Sequence, residues 1–362
     1  MGYDGRMQAI HQLVAGYAES DAISNEARVL RGIFRSWGRE SAIFSERKRI
    51  SPRVRNEVHD VSGAAWRPDD IALLHLSIGS PVNDAFAALP CRKAILYHNI
   101  TPSSFFTHYQ AQTAALLADG RRQVESLAHA ASVVMADSAY NARELEAAGY
   151  PPATVLPLVL DFAALRGPRD EAWFRRWKDG RRNILFVGRV APNKRHEDLL
   201  AAFAYFQKTV CPLSRLLLVG SFLGMETYQS LLVAKAKEFD LAYVDFTGSV
   251  SQARLLASYD AADAFLCLSD HEGFCIPVLE AMVRGVPVLA YDAGAVAETM
   301  DGAGILFKEK RFDWIAETLG RVCEDPALRQ AIVAGQNARV ARYEARDLAR
   351  EIHAALAPLL VP

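Results

Sequence analysis

The sequence lacks most of the short motifs that announce a cofactor. There is no GxxxxGK[ST], so a P-loop is excluded, and no GxGxxG, so a nicotinamide or flavin nucleotide is not expected. No DxD stands at a strand end, and no His, Asp or Glu group has metal-ligand spacing, so no bound cation is expected. Cysteine is scarce. The five residues Cys91, Cys211, Cys267, Cys275 and Cys323 are odd in number and form no CxxC, so neither a disulfide framework nor a zinc ribbon is indicated. Reduced thiols of this kind point to the cytoplasm. No window approaches the roughly 18 consecutive apolar residues of a membrane span. Met1–Met7 carries charge and no apolar run, so no signal peptide is expected. Charge of one sign is also missing: 41 basic against 42 acidic residues leave a net charge of −1, and nothing draws the chain to nucleic acid.

What is present suits a soluble α/β protein. Of 362 residues, 51% are apolar and 23% charged, and the length exceeds what one core usually supports. Short apolar runs alternate with amphipathic segments, the pattern of βα units around parallel sheets. Strands are expected at Gln8–Val14, Ser41–Phe44, Ile71–Leu76, Lys93–Tyr97, Ser132–Ala136 and Thr154–Leu156. A second set is expected at Asn183–Val187, Arg215–Val219, Tyr243–Phe246, Ala264–Leu268, Val286–Ala290 and Gly304–Phe307. Helical patterns between them include Asn25–Trp37, Ser138–Ala148, His196–Gln207, Glu226–Phe239 and Pro277–Arg284. Two Rossmann-like doubly wound domains facing a central cleft follow, covering residues 1–163 and 164–344. A hinge is expected near Asp161–Asp179, where Gly167-Pro168 breaks structure. One long helix, Arg339–Leu356, is expected after the second sheet, with residues 345–362 returning to the first domain.

Two motifs carry chemistry. In Ser269-Asp-His-Glu-Gly-Phe-Cys-Ile-Pro-Val-Leu-Glu280, Glu272 and Glu280 stand eight apart across a strand–loop–helix junction. Pro277 suits a first helical turn, Gly273 permits close approach, and amides at such a helix start attract phosphate. A phosphate flanked by two carboxylates that accept from hydroxyls describes a nucleotide sugar. An acid favoured by the helix dipole would explain either glutamate alone. In Phe186-Val-Gly188-Arg189-Val-Ala-Pro192-Asn-Lys194, two cations follow a buried strand and can neutralise a diphosphate.

These residues resemble the family-four retaining glycosyltransferases of the GT-B fold. The resemblance runs from about Ile184 to Phe307 and takes in the G-R-x4-K loop, Gly220-Ser221 and Thr247-Gly248-Ser249-Val250. It also includes the E-x7-E block and Gly285–Gly294 with Glu298. It implies that Arg189 and Lys194 hold the donor diphosphate, Glu272 contacts the transferred sugar and Glu280 the ribose. Gly188, Gly273 and Phe274 belong to the same donor loops, and Gly248, Ser249 and Val250 would lie near the base. Cys275 replaces the usual glycine and narrows the loop. In the first domain, Gly16–Asn25 looks like the loop that meets the phosphates and acceptor, with Asp21, Ala22 and Ser24 as candidates. His98 looks like the histidine that meets the donor sugar. His75 reads as structural, and Asp137-Ser138 with Asn141 as a helix cap.

The chemistry so implied is a metal-independent transfer of a hexose, GDP-mannose being the first choice of donor and a UDP-hexose the second. No cofactor beyond the nucleotide-diphosphate sugar is expected, and the acceptor is a glycan or lipid-linked molecule. The departing phosphate would take the acceptor proton, while Arg189, Lys194 and the helix amides stabilise its charge. On the helix 25–39, Arg28, Arg31, Arg35 and Arg39 form one stripe, and Arg47, Lys48, Arg49, Arg53 and Arg55 follow. Such a cluster either docks on anionic lipid or is an ordinary solvated face. An epimerase of similar fold and a non-catalytic binding subunit are the rival readings. The first lacks an evident acid/base set, and the second would show degenerate motifs.

Overall fold

The computed structural model describes residues 7–19 and 21–360. Residues 1–6, Ser20 and 361–362, which fall in the expected first domain, its phosphate loop and the terminal helix, lie outside the described residues. The chain divides into two compact units. One comprises the described residues up to Ser104, Gln112–Leu160 and those from Asp347 on, and the other Phe105–Ala111 with Asp161–Arg346.

The first unit runs β1 (Ile10–Val14), α1 (Ala22–Ser36), β2 (Ile43–Ser45), β3 (His59–Asp60), β4 (Ile71–Leu76), α2 (Pro81–Ala88), β5 (Arg92–Tyr97), α3 (Ala111–Ser126), β6 (Val133–Ala136), α4 (Ala139–Ala147) and β7 (Thr154–Val155). Its strands pair in parallel in the order β3-β2-β1-β4-β5-β6-β7. A parallel sheet is covered on both faces, and β1 and β4 are accordingly buried along their whole length. The switch in strand order falls between β1 and β4.

The second unit runs α5 (Phe162–Leu165), α6 (Glu171–Trp177), β8 (Arg182–Val187), α7 (His196–Tyr205), β9 (Ser214–Val219), α8 (Glu226–Glu238), β10 (Val244–Gly248), α9 (Gln252–Ala261), β11 (Ala264–Cys267), α10 (Ile276–Val283), β12 (Val288–Tyr291), α11 (Val296–Met300), β13 (Ile305–Phe307), α12 (Phe312–Glu324) and α13 (Pro326–Glu344). Its sheet is parallel, in the order β10-β9-β8-β11-β12-β13. Here the order reverses between β8 and β11, so the loops after these two strands flank the crevice where doubly wound sheets bind ligands.

One expectation is corrected. The single helix Arg339–Leu356 is two, because α13 stops at Glu344 and α14 (Leu348–Leu356) restarts where Asp347 accepts from the Arg350 amide at 3.0 Å. Ile352 and Leu356 of α14 pack with Leu30 and Phe34 of α1 over Ile71 and Leu96, which brings the chain end back to the first sheet. The boundary between the units falls at Leu160/Asp161, at the start of the expected hinge segment, and beyond it α6 is held to α9 by Asp170 N–H on Ala253 O (2.9 Å) and Trp173 Nε1 on Ser258 Oγ (3.0 Å). Among the described residues no helix is long and apolar enough to cross a membrane.

The arginine stripe of α1 is largely engaged within the protein. Arg28 pairs with Glu57 at 2.9 Å, Arg31 donates to Glu57 O, Arg35 to Ser41 O and Arg39 to Gln8 Oε1. Arg47, Lys48, Arg53 and Arg55 remain exposed.

Candidate active site

In the second unit the loops after β8 and β11 bring the two motifs together. Lys194 Nζ lies 2.7 Å from both carboxylate oxygens of Glu272. The Glu272 side chain is 7% exposed and that of Lys194 23%. Burial opposes the ammonium charge, but the facing carboxylate wins and raises Lys194 above the ordinary lysine range. Two of the three ammonium donors go to Glu272, which leaves one for an incoming anion. Asn193 ties the loops from behind, its carbonyl accepting from Asp270 N (2.9 Å) and its amide donating to His271 O (3.2 Å). Arg189 is exposed and donates to Leu223 O at 3.1 Å. Gly188 closes β8 where Gly220 comes so near that a β-carbon at 220 would sit 2.0 Å from Gly188 O.

Glu280 stands about one turn inside α10. Tyr259 Oη donates to its Oε2 at 2.7 Å. Burial pushes the Glu280 carboxyl up, and that hydrogen bond pulls it back. Its other oxygen can accept from a ligand hydroxyl. The α10 N-cap is Cys275, with φ of 75° and no side-chain capping bond, so the first-turn amides have no capping partner from that residue. Gly273 is half-buried, and Phe274 is buried with its carbonyl accepting from Thr299 Oγ1. Gly248 (φ 69°), Ser249 and Val250 lie at the end of edge strand β10, with Ser249 exposed.

In the first unit His98 belongs to a buried chain. Gln12 Nε2 donates to Ala27 O at 2.9 Å, so Gln12 Oε1 must accept from His75 Nε2, also at 2.9 Å. His75 Nδ1 is therefore the acceptor facing His98 Nε2 at 2.9 Å, and His98 Nδ1 reaches Asp137 Oδ2 at 3.0 Å. His98 Nε2 therefore donates, and with its pKa raised Nδ1 carries a proton too, so His98 is an imidazolium facing Asp137. Burial opposes the His98 charge, yet Asp137 and Glu26 outweigh it and raise its pKa to about 9. Burial holds His75 neutral, well below its usual range. Asp137 is thus no cap. Ser138 alone caps α4, accepting from Asn141 N at 3.1 Å. Asp21 and Ser24 form a cap on α1: the Asp21 carboxylate accepts from Ser24 N (2.8 Å) and Ser24 Oγ (2.7 Å), and Ala22 is the first helical residue. Asp21 also borders a cavity of about 330 Å³ lined by Gly16, Tyr17, Arg49 and Ser77.

Among the described residues two groups could hold a metal ion, Glu26–His75–His98 and Cys267–Glu272–Cys275. The sequence expectation of no ligand cluster missed both, because most of their members lie on separate elements or outside standard ligand spacings. In the first, the imidazoles are parallel within 1° and meet head-on across 2.9 Å, the geometry of a shared proton; ligands of one ion would converge at an angle. In the second, Glu272 already holds Lys194.

Residues 169–340 match the family model described as glycosyl transferases group 1. The chain carries a group 1 glycosyl transferase domain. Curated relatives include a GDP-mannose-dependent alpha-mannosyltransferase of Mycolicibacterium smegmatis, 39% identical over 127 residues, which are 35% of this chain and 30% of that protein. A D-inositol 3-phosphate glycosyltransferase of Frankia alni is 32% identical over 189 residues, 49% and 46% of the two chains. The chain thus spans about a third to a half of the length of these relatives. Among solved structures, Anabaena Alr3699/HepE in complex with UDP and glucose has a TM-score of 0.74 at 17% identity, covering 97% of this chain and all of that one. Sucrose-phosphate synthase from Thermosynechococcus elongatus has a TM-score of 0.74, also at 17% identity, covering 97% of this chain and 99% of that one. The fold is GT-B.

Within the group 1 glycosyl transferase domain, sequence reasoning passed over Tyr259, whose only signal is a tyrosine on a helix preceding β11. It also gave Gly294 no role of its own. A β-carbon at Gly294 (φ 59°) would meet Glu272 O at 2.1 Å and Glu272 N at 3.0 Å. Gly294→Ala is expected to displace the Glu272 loop and cost about 2 kcal/mol or more. Urea unfolding checks this, and an unchanged midpoint would refute the close approach.

Proposed function

We propose that this protein is a retaining glycosyltransferase that moves a hexose from a nucleotide-diphosphate sugar to a glycan or lipid-linked acceptor without a metal. The observation that carries the reading is the pairing of Lys194 with Glu272 on the loops after β8 and β11, with Glu280 about one turn inside the helix that follows. Lys194 and Arg189 would neutralise the diphosphate, aided by the first-turn amides of α10. Glu272 would accept from sugar hydroxyls and Glu280, steadied by Tyr259, from the ribose. The departing phosphate would take the acceptor proton, so that entry and departure share one face of the sugar. The cavity beside Asp21 and Arg49 in the first unit would take the acceptor. Exposed Arg47, Lys48, Arg53 and Arg55 are the residues through which a lipid-linked acceptor at an anionic surface would be met.

GDP-mannose is the first donor to test, since the mannosyltransferase relatives are named for it. UDP-glucose is the second, being the ligand named in a structure of similar fold. Purified protein with each donor, in chelator, is followed for thermal protection and nucleoside diphosphate release. One donor should protect and be slowly hydrolysed, and both effects should vanish in Glu280→Ala. If no donor binds, with or without added divalent cation, the reading fails and a non-catalytic binding role takes its place.

A further inference from the structure

Cys267 ends β11 and Cys275 is the N-cap of α10. Their Sγ atoms are 3.9 Å apart, and both residues are buried. The segment between them carries Glu272. A disulfide needs its sulfurs about 2.05 Å apart, so closure brings the two Sγ atoms about 1.9 Å nearer. The backbone at Cys275 sharpens the point. With φ 75° and ψ 63° it lies in the left-handed region, where a residue bearing a β-carbon is disfavoured and glycine is not. A thiol kept at such a position, against a second thiol eight residues away, indicates a use for the sulfur. Cys267 Sγ also lies 3.4 Å from Ser269 Oγ. The hydrogen bond from Cys275 holds the Cys267 thiol below its usual range, while Cys275 is pushed up. Whichever thiol is oxidised first has the other within 3.9 Å to resolve it.

We propose that Cys267 and Cys275 form a reversible disulfide under a peroxide-class oxidant, locking the Glu272 loop. The thiolate of one attacks one peroxide oxygen, giving a sulfenic acid and, with a proton, one water. The sulfur of the other then attacks the sulfenyl sulfur, and its thiol proton leaves with the hydroxyl as a second water. Two thiols are oxidised, one peroxide is reduced, and a dithiol reductant reverses the step. Closure draws the start of α10 toward the end of β11 and shifts the Glu272–Lys194 pair between them. That last consequence rests on the donor-site reading, whereas the bond itself does not.

The test uses the full chain with near-stoichiometric hydrogen peroxide, then alkylation and peptide mapping. The expected product is a Cys267–Cys275 cross-link with loss of two hydrogens, reversed by dithiothreitol, while Cys91, Cys211 and Cys323 stay alkylatable. Hydrogen exchange across 268–276 should slow on oxidation. Cys267→Ser and Cys275→Gly should each abolish the cross-link, the glycine also relieving the left-handed strain so that folding is retained. Donor affinity of the unsubstituted chain should fall about tenfold or more on oxidation. The proposal is overturned if the pair stays reduced while other thiols oxidise, or if the bond forms with exchange in the loop unchanged. If no donor binds even the reduced protein, the donor reading fails, and mapping with exchange still decides the switch.

Discussion

Lys194→Met should unfold at markedly lower urea and lose nucleotide-sugar turnover by two orders of magnitude or more. The substitution leaves the Glu272 carboxylate, 7% exposed, without the cation that holds both its oxygens at 2.7 Å. Breaking a fully buried pair costs about 3–5 kcal/mol. Because the Lys194 side chain is 23% exposed, water softens the loss and about 2–3 kcal/mol is the better expectation. The activity loss has a separate cause: removing a preorganised charge at the leaving group typically costs about 10²–10³ in rate.

The double variant Lys194→Met/Glu272→Leu separates the two effects. With neither charge left to bury, stability should return to within about 1 kcal/mol of the parent, while turnover stays lost. Urea midpoints and nucleoside diphosphate release, measured on the parent, Lys194→Met, Glu272→Leu and the double variant, close the cycle. If Lys194→Met turned over donor like the parent, the diphosphate role would be wrong. If the double variant were no more stable than the single one, the buried pair would not be what the loop depends on.

Much of this was legible because the relevant physics is local. Runs such as Ile71–Leu76 and Asn183–Val187 read as buried parallel strands, and the structure has β4 and β8 there. Glu272 and Glu280 stood out because a loop entering a helix constrains residue types within a dozen positions. The misses are non-local or weakly patterned. Strand β3 is only His59-Asp60, a polar pair at a sheet edge with no apolar signal. The break between α13 and α14 falls at Ala345–Asp347, where helical periodicity continues but an aspartate cap resets the chain. The segment 105–111 lies between β5 and α3 in sequence yet groups with the second unit, the Phe105 ring 6.4 Å from that of His271. Tyr259 and Glu280 meet across 21 residues, a contact that no window shows. The same holds for Asp137, read as a cap because Ser138 and Asn141 follow it; its partner His98 is 39 positions away.

That partnership predicts a stability loss on the alkaline side. His98 rises from 6.5 in the unfolded chain to about 9 in the fold, against the cost of burial and through Asp137 and Glu26. A raised pKa means that the folded protein holds the proton more tightly, so this contribution is complete below pH 6.5 and disappears as pH climbs through about 9. The shift corresponds to roughly 3 kcal/mol, part of which is returned because burial pushes the Asp137 carboxyl up. The groups that face His98 are His75, Asp137 and Glu26, with Asp21 further off. His75 stays neutral across the window, so the proton that leaves is His98's. Unfolding free energy measured from pH 6 to 9.5 should therefore fall by about 2 kcal/mol more in the parent than in His98→Gln. The glutamine can still donate to His75 but neither carries nor loses a charge. Parallel curves for the two proteins would mean that His98 is neutral, and the donor assignments that make it an imidazolium would have to be reversed.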